Sequence, residues 1–176
     1  MKLKQKNDVV TAGLLLIVGV VLLIIPSFIK VPNTKLVCVI VFSIFGIINL
    51  IKYFINRESK DVEGILMFCA NLITILSLSF VKTENTPMDL SIVIMIWIIL
   101  MSLIKLKKAD YYHDRRDRMW KINIFMLVVF ILTGLLTAIN LGYDNKVQVI
   151  ILGYFFLVNG LLQMIDPIVK SLISHG

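Results

Sequence analysis

The chain has 176 residues, of which 59% are hydrophobic and 16% charged, with a mean hydropathy of +0.92 and a formal net charge of +7. Soluble domains hold roughly 45–50% apolar and about 25% charged residues. This composition therefore excludes an ordinary water-soluble enzyme and puts the chain in a bilayer.

Crossing about 30 Å of hydrocarbon takes roughly 17–25 apolar residues in a helix, and six stretches qualify: 9–29, 36–55, 64–81, 88–104, 122–139 and 147–165. None alternates polar with apolar residues as a barrel strand does, so helices that satisfy their own backbone are expected. The first, Val9–Ile29, follows the basic start MKLKQK. It is expected to be retained rather than cleaved as a signal peptide, because its apolar body exceeds the usual 7–15 residues and no small-x-small cleavage site follows.

The second span, Leu36–Ile55, carries Cys38 near its outer end and the phrase FGIINLI, which supplies Gly46 and Asn49. The third, Gly64–Val81, carries Cys69 toward its inner end and Asn71, Thr74 and Ser77 in steps of three. Such a stripe is the pattern of a helix–helix contact. The two cysteines are expected at different depths, which rules out the close Cα approach a disulfide needs.

Before the fourth span, the sequence TPMD forms a capping box, with Thr86 as the cap, Pro87 at the first helical position and Asp89 three residues after the cap. The span Met88–Ile104 ends in LMSLIKL, with Ser102 followed three residues later by Lys105. Residues 105–121, KLKKADYYHDRRDRMWK, are then expected to form a solvated loop. Tyr111, Tyr112 and Trp120 would be its interfacial anchors, and Lys107, Lys108, Arg115, Arg116 and Arg118 its contacts to anionic lipid. A phosphate site on those arginines and a metal site on His113 and Asp117 are the sharper alternatives, but one histidine makes a poor metal site. The fifth span, Ile122–Ile139, carries Thr133, Gly134 and Thr137. The sixth, Val147–Ile165, carries NGLLQMI with Asn159, Gly160 and Gln163, and ends at Asp166 before Pro167, which is expected to be a solvated helix end.

With the amino terminus in the cytoplasm, fourteen Lys and Arg fall in inner flanks and four in outer ones. This bias puts both termini in the cytoplasm. The net charge then reads as a topology signal and an attraction to anionic lipid, and nothing in it calls for nucleic acid. Gly46, Ser102 and Gly160 are separated by 56 and 58 residues, with Asn49, Lys105 and Gln163 each three residues on. The chain therefore reads as three tandem helical hairpins in one six-helix, all-α bundle spanning residues 1–176. Gly46, Ser102 and Gly160 are expected to be close-packing positions, where a larger side chain would disrupt the bundle. Asn49 and Gln163 are expected to bond across helices.

None of the eleven acidic residues falls in the middle of a span, which argues against a coupled pump. No Ser/His/Asp arrangement, zinc motif or phosphate-cradling glycine loop is present, so a non-enzymatic protein without cofactor or metal is expected. The first helix ending in LLIIPS, the second ending in FGIINLIKYF and the hairpin repetition resemble the HdeD-like acid-resistance membrane proteins of bacteria. That resemblance implies a six-span inner-membrane protein linked to acid or envelope stress, and assigns no catalytic residue. The alternatives are a small-molecule channel or substrate-binding transporter subunit, and an accessory or self-protection subunit that packs on a larger membrane complex or on copies of itself.

Overall fold

A computed structural model describes residues 3–28, 34–55, 62–81, 87–117, 119–141 and 145–175. It contains six helices: α1 (Leu3–Phe28), α2 (Thr34–Ile55), α3 (Glu63–Phe80), α4 (Pro87–Asp114), α5 (Met119–Asn140) and α6 (Asn145–His175). All six are long and apolar enough to cross a membrane. Their outward residues are of the same kind: Phe80 is 86% exposed, Ile139 71% and Phe125 63%. Large apolar groups so displayed belong against lipid, and the chain is a multi-pass integral membrane protein.

Each helix packs against its neighbours in the chain, and α6 returns to α1, so the three hairpins close into a ring. The most extensive contacts are α1 with α6, α2 with α3, and α4 with α5. In each of these pairs the second helix of one hairpin meets the first helix of the next, which is the relation a cyclic threefold repeat produces. Each pair also has glycine at its closest approach. A Cβ on Gly64 would lie 2.8 Å from the Asn49 carbonyl oxygen, and one on Gly134 2.9 Å from Ile98. On the α1–α6 seam, Cβ atoms on Gly19, Gly153 and Gly160 would lie 2.5 to 2.9 Å from the backbone nitrogens of Leu157, Leu23 and Leu16. Without lipid–water hydrophobicity to drive helices together, such backbone proximity is what holds them.

The middle of the ring is filled by aromatic rings. Trp97 lies within 6.4 Å, centroid to centroid, of Phe42, Phe45, Phe130 and Phe155, and Phe42 packs edge-on against Phe156. The Trp97 indole donates to Asn71 Oδ1 at 3.0 Å, while the Asn71 amide donates to the Met67 carbonyl, so this buried pair is satisfied across α3 and α4.

Two stretches differ from the sequence expectation. The loop expected over 105–121 is mostly helix, because α4 runs on to Asp114. The turn to α5 is tight: Arg116 has a φ of 54°, its N–H donates to the His113 carbonyl and that of Asp117 to the Tyr112 carbonyl. This is the paired bonding that ends a helix around a left-handed residue. Asp117 Oδ1 then accepts from the Met119 N–H. Helix α6 likewise continues through Pro167 to His175, so Asp166 is not a helix end. The proposed cap at Thr86 lies outside the described residues.

Candidate functional site

At the end of the ring that carries both termini, all six helices turn polar residues inward around a cavity of about 50 Å³. Asp8, Lys52, Glu63, Lys105, Lys108 and Asp166 contribute its charges, three acids against three lysines. Asn49, Asn123 and Gln163 contribute amides. Charged residues near the ends of apolar helices reach this position because the alternative, facing hydrocarbon, is far more costly than facing the bundle interior.

The charges are paired. Lys52 Nζ lies 2.5 Å from Asp8 Oδ1, tying α2 to α1. Lys108 Nζ bridges two carboxylates, at 3.2 Å from Glu63 and 3.1 Å from Asp166, tying α4 to α3 and α6. Asp166 is 5% exposed. Lys105 differs: among the described residues no carboxylate lies within ion-pair distance of it, and its ammonium sits 4.9 Å from the centre of the Phe130 ring.

The amides do not bond across helices as the sequence suggested. Asn49 is fully buried, and its amide nitrogen donates to its own helix at the Phe45 carbonyl, 2.7 Å away, leaving Oδ1 without a donor. Gln163 Nε2 is buried without an acceptor. Asn123 Nδ2 donates within its helix to the Met119 carbonyl. An amide that finds no helix partner keeps its bonding capacity for something in the cavity, and a space of this size holds a few waters.

Positions 49, 105 and 163 are equivalent in the three repeats, and all three line the cavity. So do 52, 108 and 166, one turn further on. Met67, Met126, Leu127 and Leu162 form the apolar part of the cavity lining, and the aromatic cluster lies beyond it toward the other end of the bundle. Phe42 precedes Asn49 by seven residues and Trp97 precedes Lys105 by eight, so the rings lie about 10–12 Å deeper along the axis. Lys105 touches that layer through Phe130.

The other residues singled out from sequence fall as follows. Gly46 faces α3 at ordinary contact distance, 3.4 Å from Asn71 Cβ for an added Cβ, and Gly160 faces α1. Ser102 is half-buried with an unpartnered hydroxyl. Lys107, Arg115 and Arg116 are exposed, with the Arg115 guanidinium over the Tyr111 ring, whereas Lys108 turns inward to its two carboxylates. Arg118 lies outside the described residues. His113 and Asp117 do not share a helix face, since Asp117 caps α5. His113 instead neighbours Asp110 and Asp114 on the exposed surface.

Sequence reasoning missed the ion network, because Asp8, Lys52, Glu63, Lys105 and Lys108 all read as flanking charges. A signal was available: extending the repeat offset by one more turn lands on Lys52, Lys108 and Asp166. Compared with protein-family models, with curated proteins and with solved structures, the chain finds no match.

Proposed function

We propose that this protein is a non-enzymatic membrane carrier component that admits a compact polar solute or ion from the cytoplasm into the cavity of its ring. The observation that carries the reading is the convergence of Asn49, Lys105 and Gln163, one from each repeat, on a polar cavity, Asn49 and Gln163 each with an unpartnered buried atom and Lys105 with no carboxylate among the described residues at ion-pair distance. A protein that served only as a packing unit gains nothing from such unmet groups, since each buried unsatisfied polar atom costs about 1–3 kcal/mol. The cytoplasmic placement of the cavity follows from the excess of Lys and Arg at that end. Its small volume favours a compact solute over a vitamin-sized one.

The test is tracer uptake into proteoliposomes holding the purified chain, with small anions, small cations and neutral polar solutes offered in turn. Protein-dependent uptake of at least one class is expected. Gln163→Leu should lower it and Phe156→Ala, which thins the aromatic layer, should raise it. Absence of protein-dependent uptake for every class would remove this reading and leave the stress-linked role implied by the resemblance, which survival of a deletion strain after acid challenge addresses.

A further inference from the structure

We infer that the solute is a compact monovalent oxyanion, held by the Lys105 ammonium and the Gln163 amide, with Asn49 accepting a hydroxyl of the same ligand. This rests on the solute-admitting reading above and names its chemical class.

Among the described charged groups lining the cavity, the carboxylates are engaged elsewhere: Asp8 by Lys52, and Glu63 and Asp166 by Lys108. Lys105 is left with the face of Phe130. A ring face attracts a cation but does not satisfy three N–H donors. Gln163 Nε2 adds a further buried donor without an acceptor. The orientation of the Asn49 amide is fixed by its bond to the Phe45 carbonyl, so the group left over there is an acceptor.

The Lys105 ammonium, the Gln163 amide donor and the Asn49 acceptor together match an oxyanion that carries a hydroxyl. A halide would leave Asn49 unmet, and a small cation would meet Lys105 as a like charge. Lys52 and Lys108 are held by carboxylates, so among the described residues of the lining Lys105 is the lysine open to a ligand, and a second negative charge on that ligand would have no counterpart. That limits the ligand to one charge. The repeat explains the design: its three copies place Asn, Lys and Gln at one equivalent position around a common axis, so each hairpin supplies one group.

The test uses the purified full chain carrying Trp120→Phe. Of the two tryptophans this leaves Trp97, which packs on the Phe130 ring that Lys105 covers. Its emission is followed at one fixed near-neutral pH during titration with sodium bicarbonate, sodium formate, sodium chloride and ammonium chloride. Bicarbonate and formate should give a saturable change, with bicarbonate saturating first because only it offers a hydroxyl to Asn49. Lys105→Gln should raise the half-saturating concentration by about tenfold or more, the scale of losing one charged hydrogen bond. Gln163→Leu gives an independent loss, and exposed Lys107→Gln none.

An equal response to all four salts, a response to ammonium alone, or a retained oxyanion response in both Lys105→Gln and Gln163→Leu would overturn the inference. If the oxyanions fail here while proteoliposomes still take up another solute, the oxyanion assignment falls and the carrier reading stands. If neither binding nor uptake occurs, both fall.

Discussion

Lys105 and Lys108 sit one turn apart on α4, yet their substitution should have opposite consequences. Lys108 bridges two buried carboxylates, so Lys108→Gln takes their shared ion-pair partner from Glu63 and Asp166. Breaking a buried ion network from one side typically costs about 3–5 kcal/mol. Among the described residues no carboxylate lies within ion-pair distance of Lys105, so Lys105→Gln breaks no ion pair. Unfolding in detergent should therefore show a large loss for Lys108→Gln, and no loss or a gain for Lys105→Gln. The reverse order would contradict the pairing described. Lys52→Gln should resemble Lys108→Gln on a smaller scale, since it releases Asp8 alone.

At the scale of helices, glycine distinguishes seams that merely touch from seams that need a missing side chain. A Cβ on Gly160 would lie 2.8 Å from the backbone nitrogen of Leu16, so Gly160→Ala must push α1 and α6 apart, with an overpacking cost of about 1–3 kcal/mol. At Gly46 the nearest atom is 3.4 Å away, and alanine there keeps ordinary contact while removing a flexible residue from a helix interior. Gly46→Ala is expected to be neutral or mildly stabilising, and melting of the two variants side by side checks the contrast. The sequence alone made the two glycines look alike, since both precede an amide by three residues. What it could not display is which backbone lies opposite. The spans and the hairpin period were legible because long apolar runs and a fixed offset survive in one dimension. The charged network was not, because hydropathy ends a span at its first lysine, and Lys105, Lys108 and Asp166 then pass for loop residues although α4 and α6 continue beyond them.

For the molecule as a whole, the ion network changes how its charge is read. Lys52, Lys105 and Lys108 line the interior, and setting them aside leaves eleven Lys and Arg on the side proposed to be cytoplasmic against four on the other, so the proposed orientation keeps its basis without them. Reporter fusions after Lys60, Arg116 and Gly176 should read cytoplasmic, and those near Asn33, Asn85 and Asp144 external. Two or more reversed reporters would refute the orientation. The ring also bears on how the protein is made. Its most extensive seam joins the first helix to the last, while α1 touches α2 only lightly. During synthesis α1 therefore waits in the membrane with Gly19 facing no partner, and Lys108 waits for Asp166, until the ribosome has delivered α6. Closure of the ring is then a single late event instead of a hairpin-by-hairpin accumulation, and a chain interrupted before its final span is an open arc without the α1–α6 seam.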